Sequence, residues 1–556
     1  MSLTRRTFLG LAAVTAGAVG LSQPAAARPL DAARAVAARS LPGDVVGKVT
    51  VGYQGWFACR GDGAPINLWW HWARQADRAP SPTNSAIKSW PDMTEYLNGY
   101  QTAFPSLGNG SPATLFSSYD QQSVDTQFRW MAENGIDTAA LQRFNPLGGE
   151  GPTRDAMAVR VRQAAEASGV KYYVMYDVSD WYSMRHEITA DWETKMAANV
   201  ASPAYARQNG KPVVGIWGFG FNDPQRPFSP QECQEVIDWF KARGCYVMGG
   251  VPTWWRAEGD DSRPGFASVY RSFDMISPWL VGRIGNAAQA DSFFTRATVP
   301  DLAECDRLGI DYQPCVLPGD LQERQRQHGD FMWRQFYNHA RAGVSSVYIS
   351  MFDEYNEGNQ IAKTAPTAAF VPASSGILAL DEDGTACSSD YYLRLTNDGG
   401  RMIKGQIAVT ALRPTVPLPG GGPGPITGRV ALRSRANGRF VQVRASDGLL
   451  VATASAAGAG ETFAREELGG GVVALKAQAN SRYVCAEGAG ASPLVADRAA
   501  VGAWERFTIS RNPDGTVSLR AEVNGRFVCA EGAGAQPLVA DRATIGLWET
   551  FDLVDV

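Results

Sequence analysis

The strongest constraint in this chain is a repeat. Three copies of one unit begin at Val430, Val473 and Val517, spaced 43 and 44 residues apart. Copy two reads VALKAQANSRYVCAEGAGASPLVADRAAVGAWERF and copy three VSLRAEVNGRFVCAEGAGAQPLVADRATIGLWETF; copy one, VALRSRANGRFVQVRASDGLLVATASAAGAGETF, has diverged further. Each holds short alternating apolar runs broken by turn signals such as Asn437-Gly438 and Asn524-Gly525. A single unit of this kind cannot bury its own apolar face. Three β-rich copies predict a closed three-fold β-trefoil over residues 428–556, because a solenoid would need more copies or distinct caps. Trp504 and Trp548 occupy equivalent places, taken by Gly460 in copy one, and are expected in the trefoil core, with sugar contact as the alternative. Cys485 and Cys529 are likewise equivalent, opposite Gln442, and are expected to pack.

Residues 414–427 read PTVPLPGGGPGPIT, a Pro/Gly linker without apolar period. It leaves a large first domain, 28–413. Before that domain, Arg5-Arg6 precede an apolar run from Phe8 to Leu21, and Ala25-Ala26-Ala27 offer a cleavage site. This order predicts a twin-arginine signal peptide over 1–27 and a secreted protein. The run is too short for a membrane span, which needs about 20 residues, so no membrane association is expected once the leader is removed. The net charge of −4 gives no basic excess to hold nucleic acid. Four His leave little material for a His-rich metal site. None of the eight cysteines forms C-x-x-C. Export permits disulfides, and Cys233 with Cys245 and Cys305 with Cys315 are candidate pairs.

Within 28–413, apolar runs alternate with helical patterns. The expected strands are 48–53, 137–141, 171–176, 212–216, 246–249, 273–276, 311–316 and 346–351, with helices such as 123–133, 154–167 and 230–242 between them. Eight strands alternating with helices predict a (β/α)8 TIM-type barrel. A doubly wound open sheet is the rival, weakened because no G-x-G-x-x-G opens a helix.

In a barrel, functional groups gather where the strands end. Those ends carry Gln54 and Trp56, Gln142 and Arg143, Asp177, Asp180 and Trp181, then Trp217, Trp254 and Trp279. The last strand leads into Asp353-Glu354-Tyr355-Asn356-Glu357-Gly358. Indoles stack on sugar faces and carboxylates bind hydroxyls, so this set is the expected substrate-binding rim, Asn356 included. Glu354 and Glu357, three positions apart in a turn, are the expected catalytic pair, since glycoside hydrolysis uses two carboxyl groups flanking the bond. The alternative is a solvated acidic turn or a cation loop with Asp353. His71 is expected to be buried, with ligand contact as the alternative. No G-x-S-x-G elbow supports a serine hydrolase.

The segments VTVGYQGWF, FSSYDQQSVDTQFRWMAENGIDTAALQRF and VYISMFDEYNEGNQI resemble glycoside hydrolases of families 71 and 99. The last matches the family 99 E-[aromatic]-x-E-G turn. The resemblance implies retention through the sugar's own 2-hydroxyl, with Glu354 assisting that hydroxyl as base and Glu357 as acid, then base. Asn356 stands where the family has His, and Gln142-Arg143-Phe144 replaces Ser-Trp-aromatic. The R-[FY]-V-C-A-E, P-L-V-A-D-R and G-x-W-E-x-F segments of the repeat resemble fascin-like trefoils. The expectation is an exported, monomeric, retaining glycoside hydrolase acting on a polysaccharide or glycan, with the trefoil as accessory module and no cofactor. A non-catalytic carbohydrate-binding protein and an adhesive protein are the alternatives.

Overall fold

The computed structural model describes residues 40–417, 429–469, 472–512 and 516–555; the leader and most of the linker lie outside them. The chain divides into two compact units, Met1–Gly420 and Gly421–Val556.

The first unit is a closed parallel barrel. Its strands are β1 (Val49–Tyr53), β2 (Thr138–Arg143), β3 (Lys171–Asp177), β4 (Lys211–Trp217), β5 (Tyr246–Val251) and β6 (Met275–Pro278). Then come β7, in two pieces (Asp311–Tyr312 and Cys315–Val316), and β8 (Val347–Ile349). Each strand pairs in parallel with the next from β1 to β6. The first piece of β7 pairs with β6, the second with β8, and β8 returns to β1. The break in β7 falls at Gln313-Pro314, where proline has no N–H for the ladder. Gln313 N–H still donates to Ile276 O, and Pro314 O accepts from Tyr348 N–H, so the ring stays closed. Closure answers the open-sheet rival.

Helices α1 (Gln121–Glu133), α2 (Gly151–Ser168), α3 (Met184–Asp191) and α4 (Pro230–Ala242) follow the early strands. The outer layer continues with α5 (Ala267–Tyr270), α6 (Ala287–Phe293), α7 (Val299–Leu308), α8 (Asp330–Ala342) and α9 (Tyr391–Ile403). α4 starts where its sequence says it must: Ser229 and Glu232 form a reciprocal capping box, with Pro230 at the first helical position.

Strand alternation decides which side chains enter the barrel. Gln313 Nε2 donates to Thr50 Oγ1 at 3.1 Å, and Gln142 Nε2 to Tyr348 OH at 3.0 Å, across the interior. Thr50, Gly52 and Gln54 therefore share the inner face at β1, as Tyr173, Met175 and Asp177 do on β3. Two glycines make room for large neighbours. A Cβ on Gly52 would lie 2.4 Å from Tyr348 OH, and one on Gly250 2.2 Å from Trp217 Cδ1. The lumen is filled by side chains, and its upper layer is where the site begins.

The second unit is the expected trefoil. Its first strand (Arg429–Ser434) pairs with its last (Phe551–Asp555), and the pairing runs on through Thr462–Gly469, Val472–Ala477, Phe507–Arg511 and Val517–Ala521 to close a six-stranded barrel. One hairpin from each copy caps it: Phe440–Val443 with Leu450–Ala454, Tyr483–Cys485 with Val495–Arg498, and Arg526–Cys529 with Val539–Arg542. The three-fold axis is visible in hydrogen bonds. Leu450 N–H donates to Leu494 O, Leu494 N–H to Leu538 O, and Leu538 N–H to Leu450 O.

Two expectations are corrected. Trp504 and Trp548 are not core residues; they are 36% and 37% exposed. In G-x-W-E-x-F the phenylalanine is the core residue: Phe463, Phe507 and Phe551 are each fully buried, and the tryptophan rides on the turn before it. The candidate disulfides are also absent. All eight cysteines are buried and none is in a disulfide, Cys485 and Cys529 among them.

Candidate active site at the end of the barrel

The chain leaves β8 through Ser350-Met351-Phe352 into a tight turn. Phe352 N–H donates to Gly52 O at 2.8 Å, so the strand stays attached to β1 one step past its ladder. Beyond it, Glu357 N–H and Gly358 N–H both donate to Glu354 O, at 3.2 and 3.0 Å. That is one helical turn, and it sets Glu354 and Glu357 on neighbouring positions of one face. Gly358 ends the turn at φ +77°, and a Cβ there would lie 2.7 Å from Asp320 Oδ1. Arg326, itself buried, donates to Gly358 O and Gln360 O at 2.8 and 2.7 Å and holds the exit. Tyr355 faces inward among Phe57, Trp72 and Phe116. The two glutamates differ in setting: Glu354 is 3% exposed, whereas Glu357 is partly open to solvent.

Asp353 ties this turn to the end of β1. Its two carboxylate oxygens accept the N–H groups of Gln54 and Gly55, each at 2.8 Å. Burial pushes its pKa up to about 6, against the pull of those N–H donors and of Arg154. The Gln54 side chain donates from Nε2 to Glu354 Oε1 at 3.0 Å. Arg154 donates to Gln54 O from the start of α2 and is itself held by Glu150 at 2.9 Å. Arg154 and Glu150 escaped the sequence reading. Their i, i+4 spacing on a helix was legible, but not their reach to β1.

The remaining expected rim residues fall into three groups. Gln142 and Asp177 point into the upper lumen. Gln142 donates to Tyr348 OH and Met175 Sδ, and Asp177 Oδ1 accepts from Ser179 N–H at 2.9 Å. Asn356 sits in the turn between the glutamates, partly buried. Trp181 and Trp217 are buried rather than flat open platforms, at 3% and 5% exposure. Arg226 lies 4.4 Å over the Trp217 ring, and Trp279 meets its edge at 5.2 Å. Trp56 is packed rather than open: His71 stacks on it at 3.8 Å and Phe144 at 5.5 Å, and it is 9% exposed. Trp254 and Trp279 are the half-exposed pair. Burial holds the His71 imidazole neutral, its pKa lowered to about 3.

Two residues leave the site. Arg143 follows Gln142 by one position and so points outward. It makes a two-pronged ion pair with Asp191 of α3, at 2.6 and 2.5 Å, and reaches Asp155 of α2 at 2.7 Å. Arg143 is thus held by carboxylates of the outer helices and not on the substrate-binding rim. Asp180 is exposed on a loop, accepting from Gln225 Nε2 at 3.1 Å.

What remains is a set of buried polar atoms with no hydrogen-bond partner among the described residues. Among them, at this end of the barrel, are the indole N–H groups of Trp56, Trp181 and Trp217, the amide oxygens of Gln54 and Asn356, and His71 Nε2. Native interiors leave few such atoms, and all of these but His71, which lies in the long segment after β1, belong to residues at the ends of β1, β3, β4 and β8. No cluster of His, Cys, Asp or Glu suited to a metal ion occurs among the described residues. No helix among them is long and apolar enough to cross a membrane.

No protein-family model matches the chain, and no curated protein does. Solved structures do. A GH99 endo-α-mannosidase from Bacteroides thetaiotaomicron aligns at 14% identity and a TM-score of 0.46, covering 65% of this chain and 98% of that one. The designed three-fold symmetric protein ThreeFoil aligns with 23% of this chain and 99% of its own, at 21% identity and a TM-score of 0.22. A Polyporus squamosus lectin, solved with a human-type influenza-binding epitope, aligns at 14% identity and a TM-score of 0.21, over 23% of this chain and 48% of its own.

Proposed function

We propose that the protein is an exported glycoside hydrolase that cleaves a polysaccharide or glycan with Glu354 and Glu357, the trefoil serving as an accessory glycan-binding module. The observation that carries this reading is the pairing of two different carboxylates on one turn at the barrel's C-terminal end. Glu354 is buried and hydrogen-bonded, and Glu357 is partly open to solvent. A glycosidase needs one group to give a proton to the departing oxygen and one to work on the sugar's reacting face. The surrounding unpartnered indole donors and amide acceptors suit a ligand rich in hydroxyls, each able to donate and accept.

In this reading Glu357 protonates the glycosidic oxygen as the bond to the anomeric carbon breaks. Glu354 accepts the proton of the sugar's 2-hydroxyl, whose oxygen closes on the anomeric carbon. Water then opens that ring, giving its proton to Glu357 and restoring the 2-hydroxyl with the proton from Glu354. The configuration is retained. The chain's own groups balance every proton, and no cofactor is called for.

The test is release of reducing ends by the full-length protein from yeast α-mannan, β-1,4-mannan, xylan, mixed-linkage β-glucan, α-1,3-glucan and pullulan, with Glu354→Gln and Glu357→Gln alongside. Release by the wild type that both variants lose supports the reading. Binding to a member of the panel without release by the wild type would establish a carbohydrate-binding protein instead. Lys at both Arg5 and Arg6 should abolish export through the twin-arginine route; undiminished export would refute that part.

A further inference from the structure

The end of β1 is tied to the β8 turn through Gln54, and the tie leaves one atom unused. Gln54 N–H is held by Asp353 Oδ1, the next N–H by Asp353 Oδ2, and its carbonyl by Arg154. The side chain starts from a main chain anchored on three sides. It is 5% exposed and meets Glu354. A carboxylate only accepts, so the amide must present its NH2 group there, which fixes the orientation and turns Oε1 away. Gln54 Oε1 is buried with no donor among the described residues. A buried acceptor left unmatched is costly, and a ligand hydroxyl would satisfy it.

We propose that Gln54 is the positioning residue for Glu354, and that its amide oxygen accepts from a sugar hydroxyl adjacent to the one Glu354 engages. The inference rests on the glycosidase reading. It deepens that reading by naming a substrate requirement: the reacting sugar must carry two free neighbouring hydroxyls, one for the carboxylate and one for the amide. Glycans linked or substituted at either hydroxyl of that sugar would be excluded.

Two full-length variants separate the roles on whichever polysaccharide of the panel the wild type cleaves fastest. Gln54→Met removes both the donor and the acceptor. Gln54→Glu keeps an acceptor but sets a second carboxyl against Glu354, so that one of the two holds a proton and the pKa of the pair rises. Gln54→Met should lower kcat about 10- to 100-fold, the effect of losing a hydrogen bond to a charged group, and raise KM. Gln54→Glu should keep KM near the wild-type value while kcat stays low. In Gln54→Met the acid limb of the kcat profile should move to higher pH, because Glu354 loses a donor that favours its ionised form. The other groups facing this region are unchanged in that variant: Asp353 and Glu357 on the turn, Tyr348 on β8, Asp177 on β3 and Arg154 on α2. A merely structural role would lower the folded fraction without moving the acid limb. Wild-type kcat, KM and pH profile in Gln54→Met, or the same unmoved acid limb with losses matching the unfolded fraction, overturns the proposal alone. If Gln54→Met does not fold, unchanged kcat in Gln54→Glu overturns it. No cleavage of any polysaccharide by the wild type removes the glycosidase reading, and this proposal with it.

Discussion

Replacing Arg143 distinguishes a rim ligand from a structural ion pair. Its guanidinium is 2% exposed and Asp191 1%, with two hydrogen bonds of 2.6 and 2.5 Å between them. Tyr176 OH adds a third bond to Asp191 at 3.0 Å. In Arg143→Ala the Asp191 carboxylate stays buried with the tyrosine hydroxyl as its remaining partner, at a cost of about 3–5 kcal/mol. The barrel unfolds with an entropy of about 2.1 cal/mol/K per residue, or roughly 0.8 kcal/mol/K for a domain of roughly 380 residues. The expected fall in the barrel's thermal midpoint is therefore about 4–6 °C by scanning calorimetry. Arg143→Met with Asp191→Leu removes both charges and should recover most of that loss, because apolar replacement of a buried pair is often neutral or better. An unchanged midpoint in Arg143→Ala with a raised KM would refute the reasoning and return Arg143 to the rim.

Three further outcomes follow from the geometry. Asp353, with a pKa near 6 in the folded protein, lies above the value of about 3.9 in an unfolded chain. The folded state binds that proton more tightly, so the stabilisation is complete below about pH 4 and is lost as pH rises through 6. Urea midpoints should show wild type losing roughly 2–3 kcal/mol more than Asp353→Asn between pH 4 and pH 7; parallel curves would contradict this. All eight thiols are buried and outside any disulfide, so Ellman's reagent should find essentially none in the native protein and all eight after unfolding. Disulfides in the purified protein would lower the second count. In the trefoil, Trp504→Ala and Trp548→Ala should change stability by about 0.5 kcal/mol or less, whereas Phe507→Ala should cost about 3–5 kcal/mol. The reverse order would place the tryptophans in the core.

Much of the barrel was legible because each strand is short, apolar and bounded. The expected 230–242 helix is the observed α4, where Ser229, Pro230 and Glu232 mark its start locally. The catalytic candidates were legible for a similar reason: the turn from Asp353 to Gly358 is one continuous segment, and spacing alone puts Glu354 and Glu357 on one face. At Arg143 the strand end gives a place, and only the alternation along the strand gives a direction. Its neighbour Gln142 points in, so period-two alternation points Arg143 out. Nothing in Trp56's own segment says that His71 and Phe144 stack on its ring.

By itself the sequence determined the three-fold closure of the trefoil, the alternating β/α order and the acidic turn. These follow from repeats and periodicities that local chemistry enforces along the chain. Only the tertiary structure decided what the side chains do there. The hydrogen bond from Gln54 to Glu354 joins positions 300 residues apart. Asp353 bridges almost the same distance to Gly55, 298 residues away. Such pairings arise only when β8 closes on β1, and the burial that follows is what raises the Asp353 pKa and leaves Gln54 Oε1 without a donor among the described residues.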